Sequence, residues 1–358
     1  MTRPIDLDAA TAALERGERW SADLVCGLVE GVLAGEVDLD AFGRWLVALA
    51  DAGETAPEIA GVAAALRGRM LPLDAGLPAG TLVADTCGTG GDGSGSFNIS
   101  TAAAIVVAAA GQPVAKHGNR AVSSRTGSAD VLGELGIKTD APLETVARCL
   151  REAGICFCLA PAHHPAMARV GPLRKSLGQP TVFNLVGPLC NPAGAGVQVI
   201  GVGRPAAREP IAEAARLLGA RRTLVVSGFL AARNGVLAAK PFDEVSLFGP
   251  TEVIDVTADG VRRFRWTPED FGLAIEPAEQ LAELEVTGPA ESATVIRGVL
   301  AGERGPRRDV VVLNAAAVLV AAGRAADAAA ARVAAEAALD SGAAAEVLAR
   351  WARLSHAV

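Results

Sequence analysis

The chain has 358 residues, about half of them apolar, with a net charge of −7. That length and composition give a folded protein with a substantial core rather than a disordered one. The acidic balance argues against a general nucleic-acid surface, which needs a basic face.

The first twenty residues are polar and amphipathic, with no apolar core of a secretory signal. The longest apolar stretch, Ala102 to Gly111, is too short to span a bilayer. Six cysteines lie scattered, at 26, 87, 149, 156, 158 and 190, without the paired spacing of a zinc site. They read as buried thiols in a reducing, cytoplasmic setting.

The first seventy residues read as helices. Leu24, Val25, Leu28, Val29 and Val32 recur at helical spacing, as do Phe42, Trp45, Leu46 and Leu49. Leu71 to Gly80 reads as a linker. Beyond it, short apolar runs alternate with helical segments. TLVADTCG, QPVAKHG, GICFCLAP, GVQVIGVG and RTLVVSG read as strands, SADVLGELGI reads as a helix, and a periodic run over 307–323 continues the alternation. A helix is expected to start at Ser100 or Thr101. The pattern predicts an α/β domain with a mainly parallel sheet. The alanine-rich tail, 325–350, reads as one or two surface helices.

Between the first of these strands and its helix stands CGTGGDGSGSFNIST, residues 87–101, with five glycines and one aspartate. Glycine lets backbone amides approach a ligand, and inward amides beside a helix N-terminus attract anions. Taken alone, such a cluster equally suits a flexible turn. A second stretch, VAKHGNRAVSSRTGSAD (114–130), gathers Lys116, His117, Asn119, Arg120, Ser123, Ser124 and Ser128 around two glycines. It suits a phosphorylated ligand, or a polar surface loop with a helix cap at Ser128. In the third, 160–194, His163 and His164 are adjacent and share no helix face, so zinc is not expected there. Arg174 is a candidate carboxylate clamp, or a surface ion pair. In the fourth, KPFDEVSLFGPTEV, Asp243 and Glu244 are either solvated surface or ligands for Mg2+.

Taken in order, GTGGDG…FNIST, KHGNR…SS…GSAD, HPAM…TVFN…GPL and DE.S..GPT resemble the anthranilate phosphoribosyltransferase family over nearly the whole chain. The resemblance implies a small helical domain, 1–75, completed by helices from about 172–195. Beside it would stand a larger α/β domain (76–171 and 196–358), with the active site in the cleft between and a homodimer formed through the helical domain. It implies transfer of the phosphoribosyl group of phosphoribosyl pyrophosphate (PRPP) to the amine of anthranilate in tryptophan biosynthesis, with Mg2+ and no enzyme nucleophile. Carried over residue by residue, Gly88, Gly91, Asp92, Ser96, Asn98, Ile99, Ser100, Thr101, Lys116, Asn119, Ser123, Ser124 and Ser128 match PRPP positions. Gly88, Asn119 and Arg174 match anthranilate positions, and Ser100, Asp243 and Glu244 match metal positions.

The chain departs from the family pattern at three places. Ser227 stands where the family usually has histidine, and the longer segment 229–242 ends in Pro241-Phe242 where Gly-Leu is usual. Gln179-Pro180 replaces a commonly basic residue. The first two put the second metal site in question, and such loop changes are either neutral insertions or signs of altered substrate choice. They leave open a related transferase with another aromatic acceptor, or a non-catalytic nucleic-acid-binding relative.

Overall fold

The computed structural model describes residues 6–121, 125–230 and 242–357. The chain opens with α1 (Leu7–Glu15), α2 (Ala22–Ala34), α3 (Leu39–Ala52) and α4 (Ala56–Arg69). Their starts follow from side-chain capping, which satisfies amides that have no partner in the first turn. Asp38 Oδ1 accepts from Ala41 N at 2.8 Å, and Thr55 with Glu58 forms a capping box. At the crossing of α2 and α4, a Cβ on Gly61 would fall 2.4 Å from the Ala22 carbonyl oxygen, so only glycine permits that approach.

After the linker come β1 (Ala84–Gly88), α5 (Ile99–Ala109), β2 (Val114–Gly118), α6 (Ser128–Glu134), α7 (Leu143–Ala153) and β3 (Ile155–Leu159). Short helices α8 (Ala160–His163), α9 (Gly171–Leu177) and α10 (Phe183–Val186) lead to β4 (Val197–Gly201), α11 (Arg208–Leu217) and β5 (Arg222–Gly228). Then follow β6 (Thr251–Thr257), β7 (Gly260–Trp266), α12 (Pro289–Leu300), α13 (Pro306–Ala321), α14 (Ala328–Asp340) and α15 (Ala343–Ser355).

Among the described residues the sheet runs β3-β2-β1-β4-β5-β6-β7. The first five strands are parallel; β6 and β7 pair antiparallel. This antiparallel pair was absent from the expected strands, because its polar and charged residues break the apolar runs that mark the buried ones. The run 307–323 is the long helix α13, packed on α5.

Alternation along the central strands divides the core in two, since successive side chains face opposite sides of a sheet. Val199, Leu224 and Val226 join a cluster with α5, α13, α14 and α15. Ile200, Val225, Ile254 and Val256 join another with α1–α4, residues 170–190 and α11. The alanine-rich tail forms two helices, and their inner faces are core: Ala331, Ala335, Ala344 and Trp351 are buried.

Strand order reverses at β1, whose chain proceeds to β2 on one side while β4 lies on the other. Ligands in open α/β sheets bind in the crevice at such a switch point, beyond the carboxyl ends of the strands. Here those ends are Gly88 and Gly201, paired in register.

Candidate functional site

The glycine loop leaves β1 at Gly88 and enters α5 at Ile99. Gly90, Gly91, Gly93 and Gly95 all take positive φ, between 65° and 80°, a region that side-chain-bearing residues rarely occupy. Asp92 shapes the turn: its Oδ1 accepts from Ser94 N at 2.9 Å and Ser94 Oγ at 3.1 Å. The far end is stitched to 284–286 by Phe97 N to Leu284 O and Val286 N to Gly95 O. The loop walls a cavity of about 650 Å³.

The opposite wall comes from β2 and the loop after it. Lys116 is buried, and its Nζ donates to the Thr86 carbonyl oxygen and, at 3.2 Å, to Ser100 Oγ. Burial lowers its pKa while Asp85 opposes that shift. The Asp130 carboxylate accepts from Ala121 N and Gly127 N, tying both to the start of α6. The cap of α6 is Gly127 rather than Ser128; Ser128 is the first helical residue and donates to Asn119 O at 3.3 Å.

Asp243 and Glu244 turn into the same cavity. Phe242 exchanges two backbone hydrogen bonds with Gly228, and the Asn314 side chain of α13 holds both backbone groups of Val245. The pair is thereby fixed between β5 and α13. Glu244 Oε1 accepts from Ser100 N at 3.2 Å. The Asp243 carboxyl is held well above the usual range by burial, and further by Asp92 and Glu244. Burial pushes Glu244 up to about 8, with Lys116 opposing. Asp92 Oδ2 is buried without a hydrogen-bond partner.

Three carboxylates thus converge with Lys116 as their opposing cation, and an added divalent ion would relieve that repulsion. The donors are hard oxygens, which suits Mg2+. No three His, Cys, Asp or Glu side chains among the described residues enclose a metal by themselves. Mg2+ commonly takes one or two carboxylates and completes its shell with phosphate oxygens and water.

A second cavity of about 640 Å³ adjoins the first and shares Cys87, Gly88, His117, Gly118 and Asn119 with it. Its remaining wall is largely apolar, with Met167, Phe183, Pro188 and Cys190. Arg174 lies there with its guanidinium 5.3 Å from the Phe183 ring centre. Burial lowers its pKa, and it makes no ion pair among the described residues. Two histidines complete the wall. His117 Nδ1 contacts the Gly187 carbonyl oxygen at 3.1 Å, and His164 Nε2 contacts that of Cys190 at 3.2 Å. A carbonyl only accepts, so each contacting nitrogen carries the proton. His117 Nε2 and His164 Nδ1 are left as bare acceptors, buried and unpartnered. Burial lowers both pKa values, that of His117 to about 3.

The fold therefore gathers Gly88, Gly91, Asp92, Ser96, Asn98, Ile99, Ser100, Lys116, Asn119, Ser128, Asp243 and Glu244 on one cavity, and places Arg174 on the adjoining one. Thr101 is not brought to either. It is buried in the first turn of α5, with Oγ1 unpartnered. Ser123 and Ser124 lie outside the described residues, as does 231–241. Gln179 and Pro180 are exposed and line neither cavity, and Ser227 is buried, donating to Val202 O at 2.7 Å. Sequence reasoning missed Arg125, Thr126 and His164 as lining residues. Their one signal was position: each follows the carboxyl end of β2 or β3, on the same side of the sheet as the glycine loop.

Residues 80–345 match the glycosyl transferase family, a/b domain. The anthranilate phosphoribosyltransferase of Methylorubrum extorquens (strain PA1) is 44% identical over 97% of this chain and 98% of that protein. A crystal structure of the Thermus thermophilus enzyme of that name superposes with a TM-score of 0.85 at 41% identity, covering 97% of this chain and 99% of the other. The Saccharomyces cerevisiae enzyme in complex with PRPP and Mg gives a TM-score of 0.84 at 28% identity, covering 99% of each chain. With both sequence and fold matched along almost its entire length, the chain belongs to the anthranilate phosphoribosyltransferase family.

Proposed function

We infer that the protein transfers the phosphoribosyl group of PRPP to the anthranilate amine and releases pyrophosphate, with Mg2+ as cofactor. The observation that carries this reading is the meeting of two unlike cavities at Gly88 and Asn119. One is glycine-walled and lined by carboxylates and Lys116; the other is apolar with one unpaired arginine. Such a pair suits a charged phosphosugar beside an aromatic acid.

In the first cavity, amides of the glycine loop would hold the diphosphate, and Lys116, Asn119 and Ser128 the phosphoribosyl part. Ser123 and Ser124 are assigned to the same ligand from the resemblance. Asp243, Glu244 and Ser100 would hold Mg2+, whose charge makes diphosphate a better leaving group. In the second, the planar fork of Arg174 would grip the anthranilate carboxylate and aim the amine at the anomeric carbon. The C–O bond to diphosphate breaks, the N–C bond forms, and the amine then loses a proton. An aromatic amine is neutral at pH 7, so no base is needed before attack. His117 Nε2 is an acceptor available in that wall afterwards. The rate would come from placement and charge stabilisation.

Loss of anthranilate fluorescence on adding PRPP and Mg2+ tests the assignment. Consumption of another aromatic acceptor, with anthranilate untouched, would overturn it.

We also propose a homodimer formed through the helical layer, supported by Leu24, which is exposed on α2. Light scattering in solution tests it. A two-domain division is supported by the separate core cluster of α1–α4 with 170–190, although that cluster also reaches α11 and the sheet. A cytoplasmic location is supported by six free thiols. No helix among the described residues is long and apolar enough to cross a membrane.

A further inference from the structure

Asn98 stands at the entrance to α5, on the wall of the donor cavity. Its side-chain oxygen accepts from two hydroxyls: Ser292 Oγ at 2.8 Å and Thr126 Oγ1 at 3.0 Å. Its backbone N–H donates to the same Ser292 Oγ at 3.0 Å. Ser292 is fully buried on α12, and Thr126 is nearly so on the loop after β2. A carboxamide oxygen has two lone pairs, and both are occupied. Turning the amide over would make the hydroxyl oxygens the acceptors and leave Oδ1, a pure acceptor, facing the cavity in place of the two donors. Nδ2 has no hydrogen-bond partner among the described residues, so its two N–H donors remain for a ligand in the cavity.

We propose that Ser292 is a positioning residue for the transfer reaction: with Thr126, it locks the Asn98 carboxamide so that both Nδ2 protons face an oxygen of the bound phosphosugar. Ser292 lies behind the cavity wall, and Thr126 lines it beside Asn98. Both act through Asn98, which α12 and the loop after β2 thereby align. The inference rests on the reading of Asn98 as a donor contact. Loss of the lock would cost about one net hydrogen bond in the donor-bound states.

The test is a mutant cycle on the full chain, following kcat and KM for each substrate and thermal stability. Ser292→Ala is expected to lower kcat/KM for PRPP about five- to tenfold while leaving KM for anthranilate within about twofold. Asn98→Ala should lower kcat/KM for PRPP further, and adding Ser292→Ala to it should cost nothing more. Losses that multiply in the double variant, or that fall equally on both substrates, would overturn the lock. Thr126→Ala removes the second hydroxyl from a loop, and it decides the matter if the α12 variant folds poorly. It should show a smaller loss that also vanishes in the Asn98→Ala background, and independence from Asn98 would refute the proposal. An Asn98→Ala protein with unchanged PRPP kinetics would instead remove the donor-contact reading beneath it.

Discussion

Gly88 and Asp243 face each other so closely that a Cβ on Gly88 would sit 2.9 Å from Asp243 Oδ2 and 3.4 Å from the Gly201 carbonyl oxygen. The Asp243 backbone in turn rests on Gly201, where a Cβ would overlap its carbonyl oxygen. Two glycines at the ends of β1 and β4 therefore make room for the carboxylate pair. Gly88→Ala is expected to displace Asp243 and lower turnover by about 10²-fold, the scale of an ångström-sized misplacement. Steady-state kinetics beside circular dichroism checks this, and a folded variant with unaltered turnover would contradict it.

Arg174 has an aromatic face beneath it and no carboxylate partner among the described residues. Arg174→Ala is expected to reduce kcat/KM for anthranilate by about 10²-fold, as loss of a charge-assisted fork would. KM for PRPP should barely change. Arg174→Lys should recover only part, because an ammonium lacks the planar fork. Equal impairment of both substrates would remove the clamp assignment.

Burial first, and then neighbouring carboxylates, Asp92 for both, hold Glu244 and Asp243 in a protonation-prone state. Glu244→Gln removes a carboxyl whose ionised form the ligand-free protein disfavours, and it keeps an oxygen for Ser100 N. Its melting temperature without ligand should equal or exceed that of the unaltered protein, while turnover falls by about 10²-fold. Added Mg2+ and PRPP should stabilise the variant less. Chelation of Mg2+ from the unaltered protein should likewise stop turnover. Scanning fluorimetry with and without both ligands reads these differences, and a destabilised ligand-free variant would argue for a purely structural glutamate.

His117 is buried neutral, with its pKa lowered from 6.5 to about 3. The unfolded chain binds this proton first, so the stability it contributes is complete above about pH 6.5 and is lost as pH falls toward 3. Between pH 6.5 and 5 the loss is about 2 kcal/mol from this residue. His117→Gln should flatten that part of the profile, measured by chemical denaturation at several pH values. The same shift means that no inflection from a histidine of pKa 6.5 at His117 should appear in turnover. A stability slope unchanged in the variant would show that His117 is not the titrating group.

The strands that carry the site were readable because each overlaps a short apolar stretch closed by glycine or proline: ADTCG, VAKHG, ICFCL and VQVIG stand where TLVADTCG, QPVAKHG, GICFCLAP and GVQVIGVG predicted them. β6 and β7 escaped notice, since β7 carries Arg262, Arg263 and Arg265 at the solvent edge. Thr101 followed its motif neighbours in the resemblance, yet helical geometry turns it inward while Ser100, one residue earlier, faces the cavity. Similarly, His163 and His164 are adjacent in the chain, but only His164 reaches the acceptor cavity. His163 Nδ1 is occupied by the Leu71 carbonyl oxygen at 2.8 Å.

By itself the order of residues determined an alternating α/β chain, a glycine loop with amides to spare, and the stretches from which both cavities are built. Local chemistry suffices for that: hydrophobic period, caps and glycine conformations act within a few residues. The placement of Asp243 and Glu244 came only with the tertiary structure, because it depends on Gly201 lacking a side chain and on Asn314 of a distant helix. The bare nitrogens of His117 and His164 are likewise a tertiary product. Carbonyls at Gly187 and Cys190 select their tautomers, and burial keeps them neutral; both effects arise between segments that meet only when the chain has closed around them.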